Sequence, residues 1–365
     1  MKRIPVLLIF ALLLTLCPLH TAYAAESSEP DLPVFDNPGP GGPTDAPATA
    51  PVDPAVKAPD EDAPFTIDLS IVGDCLLSTY KGGSYKGSLN WYAATQKPSY
   101  FFEKIYDIFS ADDFTIANLE TVLTDRKLAE VKKNGSRVFW FRGPSANARI
   151  LTAGSIEAVS LANNHTNDYG AEGQKDTIAA VEAQGVLYGN ESKTIYLEKN
   201  GFTIAVICHG LWREGQADEI ITRIQSASEK SDYQIVFYHG GTEAVLQPEA
   251  WRVRASRKLV DNGADMVIGN HPHVPQPMEV YKGVDIVYSL GNFCFGGHIK
   301  PRNRTIIYKM LLTIQDGHVS KSESSFIPCY VYTGKTNNWQ PAVLTDAAAK
   351  QKVLDFMYGR RSSPY

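Results

Sequence analysis

The chain has 365 residues, of which 44% are hydrophobic and 21% charged, and its formal net charge at pH 7 is −5. It contains no glycine period, no heptad run and only one long apolar segment, at the N-terminus. These features exclude a collagen, a coiled coil and a multi-span membrane protein. Nucleic acid is not expected as a partner, because no excess of basic residues dominates the charge count.

The first 24 residues are typical of a secretory signal. Lys2 and Arg3 precede an apolar run, Ile4–Leu16, and a stretch of small residues ends at Ala24, where we expect cleavage. The run is shorter than the roughly 20 residues that a membrane span needs. Cys17 follows a sequence similar to a bacterial lipobox, so a lipid anchor at that cysteine is the alternative to cleavage.

Residues 25–64 differ in composition from the rest of the chain. They hold ten of the 22 prolines and nine acidic residues against one lysine, with almost no large apolar side chains. Such a segment cannot bury enough surface to offset the entropy of ordering it, so we predict a disordered linker. The linker carries most of the negative charge, and residues 65–365 are expected to form one nearly neutral, exported domain.

Five predicted strands each end in a polar loop. The first, Phe65–Ile71, alternates apolar and polar residues, which is the period of a strand. The polar residues at the five strand ends are, in chain order, Asp74; Asn118 and Glu120; Asn163, Asn164 and His165; His239; and Asn270, His271 and His273.

Helical patterns lie between these strands. They cover about residues 145–152, with Ser145 as the predicted cap, and 171–184, 249–261 and 346–358. Three Xaa-Gly pairs, Asn200-Gly201, Lys282-Gly283 and Asp316-Gly317, separate β-prone runs and predict hairpin turns. The alternation of strands and helices, with hairpins added, predicts an α/β fold with mixed sheets.

The polar strand ends predict a metal site. The carboxyl ends of the strands in an α/β sheet face one crevice, so two carboxylates, one amide and up to four imidazoles should meet there. Repelling carboxylates and unpaired polar groups at one place need a cation to organise them. The number of ligands suits two divalent ions about 3.5–4 Å apart. Mixed nitrogen and oxygen donors favour Mn, Fe or Zn over Ca.

Several motifs carry a resemblance to a known family. They are Gly73-Asp74, Asn118-Leu119-Glu120, Ala162-Asn163-Asn164-His165 with Asp168-Tyr169-Gly170, His239-Gly240 with Glu243, His271-Pro272-His273 and Tyr288–Phe293. In order and spacing, the chain resembles the CapA family of poly-γ-glutamate capsule synthesis proteins over about residues 66–297. That family is similar to the calcineurin-like metallophosphoesterases. The resemblance implies a four-layer α/β/β/α sandwich with a two-metal centre at the strand ends.

The resemblance also implies roles for individual residues. Asp74 and His273 would bind the first metal, Glu120 would bridge, Asn164, His239 and His271 would bind the second metal, and His165 would be the general acid. One position departs from the pattern: Leu76 stands where metallophosphoesterases usually carry a further metal-binding histidine. The first metal would therefore lack a ligand, which leaves one ion or two as alternatives.

A second group of residues is predicted to bind an anion. Asn292, together with the glycines that follow it, would let the backbone approach a ligand, although its segment also reads as a core strand and turn. Lys300, Arg302 and Arg304 form a basic cluster that would hold a polyanion, with a solvated strand edge as the alternative. Arg142 is an anion contact on the resemblance.

Two functions follow from these residues and from the resemblance. The first, which the resemblance implies, is an exported, metal-dependent hydrolase or transferase of the bacterial cell surface. It would act on a polyanion such as poly-γ-glutamate, or on a phosphoester or amide linked to the envelope, with membrane components of capsule synthesis as partners. A metal-activated water would attack while His165 protonates the leaving group. The second is a non-catalytic assembly or export factor that binds metal and polymer at the same site. Leu76 favours the second function and His165 favours the first.

Overall fold

A computed structural model describes residues 63–135, 138–296 and 303–365. The predicted signal, Cys17 and all of the predicted linker except its last two residues lie outside these ranges. Lys300 and Arg302 of the predicted anion site lie outside them as well. The described residues form one compact unit. None of their helices is both long and apolar enough to cross a membrane.

Sixteen strands lie in the described part of the chain. They are β1 Phe65–Cys75, β2 Thr79–Tyr80, β3 Phe114–Leu119, β4 Val122–Leu123, β5 Phe141–Gly143, β6 Ala158–Ser160, β7 Leu187–Gly189, β8 Ile195–Lys199, β9 Phe202–Gly210, β10 Tyr233–His239, β11 Met266–Asn270, β12 Pro275–Tyr281, β13 Val284–Leu290, β14 Thr305–Gln315, β15 His318–Tyr330 and β16 Ala342–Val343.

Seven α-helices and three 3₁₀ turns connect the described strands. The helices are α1 Leu89–Thr95, α2 Tyr106–Phe109, α3 Arg149–Ala153, α4 Gly170–Glu182, α5 Ala217–Ser228, α6 Ala250–Val260 and α7 Ala347–Met357. The 3₁₀ turns are Pro98–Phe101, Ser145–Ala148 and Glu214–Gln216.

The strands form two large mixed sheets and one small one. Sheet I has the order β16-β15-β14-β1-β3-β6-β7, and sheet II has the order β12-β13-β11-β10-β9-β8. In both, neighbouring parallel strands lie together and antiparallel strands are added towards an edge, as with β14 beside β1 and β8 beside β9. The third sheet, β2-β5-β4, consists of short strands that lie between β1 and β6 in the chain. The predicted mixed sheets are confirmed.

Three apolar clusters divide the molecule into layers. One contains inward side chains of both sheets, such as Ile71 of β1 and Val206 of β9. The next residues along each strand point the other way: Val72 packs with α3 and α4, while Ile207 packs with α5 and α6. The order of layers is therefore helix, sheet, sheet, helix, which confirms the four-layer sandwich. Each fully buried Val or Ile contributes about 1.5–3 kcal/mol.

The three predicted hairpins are confirmed. Asn200-Gly201 joins β8 to β9, Lys282-Gly283 joins β12 to β13, and Asp316-Gly317 joins β14 to β15. Both residues of each pair have a positive φ, between 49° and 84°. This is the backbone of a type I′ turn, whose twist matches that of the flanking strands.

Helix prediction from the sequence is correct for three segments and wrong in detail for one. The helices α4, α6 and α7 lie where their patterns predict, and the Asp346 carboxylate caps α7 by accepting from Ala349 N (2.6 Å). Ser145 is not a cap, because its hydroxyl and backbone N–H bond to Asp125 and the segment begins as a 3₁₀ turn. Helix α5 has no counterpart in the sequence prediction.

Candidate functional site

Polar side chains from both large sheets meet at the carboxyl ends of their parallel strands. Asp74 lies near the end of β1, Glu120 follows β3, and His239 ends β10. The loop after β11 carries His271 and His273. Asp74 Oδ2 is 3.1 Å from His273 Nδ1, and Glu120 Oε1 is 3.8 Å from Nε2 of both His239 and His273. The residues predicted to converge are therefore neighbours, although their strands belong to two sheets.

Asn164 lies beside these residues. We call Asp74, Glu120, Asn164, His239, His271 and His273 the ligand cluster. Oδ1 of Asn164 is 2.8 Å from His239 Nε2, which in turn is 3.1 Å from His271 Nδ1. Two overlapping sets of potential ligands result, in each of which the ligand atoms lie within 4.8 Å of one another. The sets are Asp74, Glu120 and His239, and Glu120, His271 and His273. Glu120 is the member that both sets share.

The environment of the Glu120 carboxylate shows whether a cation fits among these residues. The side chain is fully buried, and neither oxygen has a hydrogen-bond donor among the described residues. A buried, unpaired carboxylate costs several kcal/mol. Burial raises its pKa well above the usual value, and the Asp74 and Glu243 carboxylates add to the rise while His273 opposes it. The donor set of carboxylates and imidazoles therefore fits a divalent metal.

The imidazoles differ in charge. Burial and the neighbouring histidines lower the pKa of His239 well below its usual value and that of His271 to about 3. Burial alone would also lower the pKa of His273, but the Glu120 and Asp74 carboxylates raise it to about 10. His239 and His271 are thus neutral at pH 7, with a ring-nitrogen lone pair available to a metal, whereas His273 must lose a proton to become a ligand.

Unusual backbone geometry holds these ligands. His271 and His273 have φ values of 97° and 57°, in a region that side chains other than glycine rarely adopt and that is found at functional sites. The end of β1 lies against the loop after β13, with Asp74 N donating to Gly291 O (3.0 Å). A Cβ at Gly73 would come within 1.8 Å of that carbonyl oxygen. Only glycine permits this approach, which places Asp74 in the site.

An apolar side chain stands at the position where the resemblance to metallophosphoesterases predicts a further histidine. Leu76 is buried against Phe295, Val331 and Tyr332. The Phe295 ring centroid lies 4.9 Å from that of His273. The departure noted in the sequence is therefore a packed side chain, and the cluster has no nitrogen or oxygen donor at that position.

His165 lies beside the ligand cluster and belongs to neither ligand set. Its Nδ1 is 2.8 Å from Asp168 Oδ2, and its Nε2 is 3.7 Å from Glu120 Oε1. Asp168 also accepts from Phe141 N (2.7 Å) and forms an ion pair with Lys133. Because a charged carboxylate only accepts hydrogen bonds, Nδ1 carries the proton and Nε2 faces the cluster. Burial lowers the pKa of His165, while Asp168 opposes the decrease.

Sequence reasoning gave no role to Asn118, which connects the ligands. Its Nδ2 donates to Asp74 Oδ1 (2.8 Å) and lies 3.2 Å from His239 Nδ1. Its Oδ1 accepts from Asn163 Nδ2 (3.1 Å), which also donates to Leu119 O. The signal was present in the sequence, because Asn118 and Glu120 are two residues apart and side chains at that spacing leave a strand on the same side.

Three of the predicted anion-binding residues lie in the described part of the chain, and each has different neighbours. Asn292 is buried, and its Oδ1 is 2.8 Å from His273 Nδ1, so it contacts the ligand cluster directly. The guanidinium of Arg142 lies 5.1 Å from the centroid of the Tyr169 ring, and that of Arg304 lies 4.9 Å from the Tyr330 ring. Phe141, the strand neighbour of Arg142, is the residue that faces His165.

Aromatic rings extend from the cluster to the surface. Phe295 neighbours Phe141, which stacks on Phe139, which meets Tyr80, with 6.0–6.4 Å between successive centroids. We call these four residues the aromatic row. Phe141 touches His165, since their ring centroids are 4.5 Å apart, and the outer members of the row, Phe139 and Tyr80, are 51% and 44% exposed.

Lysine side chains flank the aromatic row. The ammonium of Lys81 lies 4.9 Å from the centroid of Trp140, and the Lys133 ammonium lies 6.0 Å from the same ring and donates to Phe139 O (2.8 Å). Trp212 stands on the other side of the cluster, 4.9 Å from His271. Aromatic side chains therefore border the ligand cluster, and the ammonium groups of Lys81 and Lys133 lie beside the aromatic row.

Several known proteins are similar to this chain. The PGA biosynthesis protein CapA of Bacillus subtilis is 28% identical over 279 residues, covering 70% of this chain and 69% of the relative. The capsule biosynthesis protein CapA of Bacillus anthracis is 26% identical over 319 residues, covering 76% and 75%. A hypothetical protein from Thermus thermophilus, of known crystal structure, aligns with a TM-score of 0.43 and 16% identity over 72% of this chain and 99% of its own.

A family model spans the strands that carry the site. The model of the bacterial capsule synthesis protein PGA_cap matches residues 68–297, which is more than half of the chain and includes β3 to β13 and Asn292. The ligand cluster, His165 and Asn118 all fall within the matched residues. On this match the chain belongs to the PGA_cap family of bacterial capsule synthesis proteins.

Proposed function

We propose that the protein is an exported, metal-dependent hydrolase or transferase that acts on a polyanion of the poly-γ-glutamate type during capsule synthesis. The observation that carries the proposal is the Glu120 carboxylate, which is fully buried, has no hydrogen-bond donor among the described residues and is shared by two sets of potential ligands. A cation at this place removes the cost of burying that charge. The family, whose members include proteins named for capsule and PGA biosynthesis, supports the cellular role.

The residues in the ligand cluster would hold one or two ions of Mn, Fe or Zn. Asp74, Glu120, Asn164, His239, His271 and His273 supply the oxygen and nitrogen donors. When bound, such an ion polarises the bond under attack and makes a water acidic enough to react at neutral pH. Asn118 orients Asp74 and His239 through its amide, and Asn292 contacts His273.

His165 is the group placed to move a proton. Asp168 and Lys133 hold its ring so that Nε2 faces the cluster. With the proton of the neutral ring on Nδ1, Nε2 would first take the proton released by the attacking water and then give it to the oxygen or nitrogen atom that leaves. A positioned acid of this kind is typically worth 10²–10⁴-fold in rate. Burial and the aromatic row exclude water from one side of His165, which favours this transfer over exchange with solvent.

The aromatic row and its lysines would bind the polymer. In a γ-linked glutamate chain, carboxylates alternate with short apolar spacers, so rings and ammonium groups side by side match it chemically. Lys81 pairs with Glu130 at 3.4 Å on the surface, and such an exposed pair is weak enough to exchange for a ligand carboxylate. The signal and the acidic linker predicted for residues 1–64 would take the domain to the cell envelope, near the membrane-bound components of capsule synthesis.

One observation favours a second function, binding without turnover. Leu76 and Phe295 present an apolar surface to His273, so the site lacks a donor that the related phosphoesterases use. A single ion bound by the remaining residues could hold the polymer without activating water. In that case the protein would be an assembly or export factor.

Metal analysis of the purified protein, with assays on γ-glutamyl polymers and phosphodiesters, distinguishes the two functions. The proposal predicts bound transition metal and turnover that disappears with a chelator and returns with Mn²⁺ or Zn²⁺. Stoichiometric metal with polymer binding and no turnover on any substrate would favour the second function. A protein that binds no metal would contradict both. Fractionation of cells that express the full chain tests export separately.

A further inference from the structure

The largest fully buried side chain in the described part of the chain is a charged one, Arg252. It projects from α6 and lies between the rings of Tyr238 and Tyr288, 5.9 Å from each centroid. Glu249, one turn earlier, is 3.2 Å from its Nε. Arginine is almost never buried completely unless its donors are used. The contacts of the other two guanidinium nitrogens are therefore informative.

These two nitrogens bond to three segments of sheet II that carry site residues. Nη1 donates to Gly240 O (2.6 Å), the residue directly after His239. Nη2 donates to the Gln276 side-chain oxygen, in the strand that leaves His273, and lies 3.4 Å from Tyr288 O, in the strand that leads to Asn292.

The contacts continue from Arg252 into the next loop. Gln276 Nε2 donates to Val245 O (2.7 Å), which holds the segment between β10 and α6. At Gly241, φ is +108°, and a Cβ there would lie 2.0 Å from Arg252 Nη1. A side chain at position 241 would thus displace the guanidinium, so the loop after His239 is shaped around it.

We propose that Arg252 is a positioning residue for the ligand cluster, which sets the spacing of the His239, His273 and Asn292 segments and so determines metal affinity. The planar guanidinium offers donors in a fixed fork, and a lysine ammonium cannot reproduce that geometry. The inference rests on the proposed function only in that a metal binds; it does not depend on turnover.

If Arg252 acted only through its charge, replacing it would change metal affinity in the opposite direction. Arg252 is positive and close enough to His271 to lower that residue's pKa. If it acted only as a charge, it would repel a bound cation, and its removal would tighten metal binding. If it acts by holding the three segments, its removal weakens metal binding. The sign of the change in metal affinity therefore separates the two roles.

The chain offers a matched control in Arg223. This side chain projects from α5 and makes similar bonds within the same layer, to Asn190 O (2.8 Å), Cys208 O (2.6 Å) and Thr194 Oγ1 (3.0 Å). None of these three residues belongs to the ligand cluster. Replacing Arg223 therefore removes a comparable number of guanidinium bonds, one of them to β9 of sheet II, and none of them to a segment that carries a ligand.

The experiment compares Arg252→Met, Arg252→Lys and Arg223→Met in the full-length protein. Mn²⁺ affinity is measured by calorimetry, the absorption spectrum is recorded with Co²⁺, and melting is followed in chelator. We expect both Arg252 variants to bind Mn²⁺ about 10- to 100-fold more weakly, the range for residues that orient metal ligands, with a changed Co²⁺ spectrum. Arg223→Met should keep the wild-type affinity and spectrum even where its melting temperature falls.

An Arg252 variant that binds Mn²⁺ within twofold of the wild type, or more tightly, overturns the inference. Should Arg252→Met not fold, Gln276→Leu, which removes one of the three connections and keeps the Arg252–Glu249 ion pair, is expected to weaken Mn²⁺ binding in the same direction. A wild-type protein that binds metal without turnover would contradict the proposed catalysis and leave the role of Arg252 intact. A wild-type protein without metal affinity would overturn both.

Discussion

Replacing Glu120 by glutamine tests the metal site most directly, because glutamine keeps the shape and removes the charge. The wild-type carboxylate is fully buried without a donor among the described residues, and its nearest imidazole nitrogens, those of His165, His239 and His273, lie 3.7–3.8 Å away. In chelator, the variant should therefore be no less stable than the wild type, since an unpaired buried charge has been removed.

The metal-dependent part of the stability should change much more. At a metal concentration of 100 times the dissociation constant, binding stabilises the wild type by about 2.7 kcal/mol. For a domain of about 300 residues each kcal/mol corresponds to roughly 1.5–2 °C in melting temperature, so metal should raise the melting temperature by about 4–5 °C. If the loss of Glu120 weakens binding about 100-fold, the same metal concentration adds only about 0.4 kcal/mol, or less than about 1 °C.

Differential scanning fluorimetry with and without Mn²⁺, together with metal analysis, measures this difference. Glu157→Gln is the matched control, because Glu157 is partly buried and, like Glu120, has a raised pKa. It accepts from Thr115 N at the start of β3, at the opposite end of that strand from Glu120. The control should keep the whole metal-induced increase. An equal increase in Glu120→Gln and the wild type would refute the reasoning and make Glu120 an ordinary buried acid.

Four further predictions concern other parts of the chain. His165→Ala should keep the metal-induced increase in melting temperature and lose about 10²–10⁴-fold in turnover, with a smaller loss on activated aryl esters; loss of metal would make His165 a ligand. Phe139→Ala should weaken polymer binding, measured by calorimetry in chelator. The control is Val280→Ala, because Val280 is 64% exposed on the edge of sheet II, and this variant should bind as the wild type does. Equal binding by both variants would show that the aromatic row does not contact the polymer. In chelator, the free energy of unfolding should fall as pH drops from about 6.5 towards about 3. The reason is that the unfolded chain protonates His271 in this range while burial and the neighbouring histidines keep the folded imidazole neutral, and denaturant titrations of His271→Asn should show a weaker pH dependence. Deleting residues 25–64 should change the melting temperature by no more than about 1–2 °C, and a larger loss would show that the segment packs on the domain.

Local patterns in the sequence were sufficient to predict the elements that support the site. A period of two residues indicated β1, the glycine pairs indicated three hairpins, and the polar residue after each parallel strand indicated where ligands would meet. These predictions succeed because strand alternation, positive φ in tight turns and the common direction of parallel strands are properties of short segments.

Contacts between distant segments could be decided only by the tertiary structure. The ligand-bearing strands are divided between two sheets, Asn118 joins Asp74 to His239, and Lys133 reaches Asp168 from a loop far from it in the sequence. Arg252 reads as a solvated charge on a helix, yet it is buried behind the ligands. Side-chain burial depends on which surfaces of remote segments pack together, and a local sequence pattern does not specify those surfaces. The sequence alone therefore determined which residues are candidate ligands, and the packing of the two sheets decided which of them lie within hydrogen-bond distance of one another or form ion pairs.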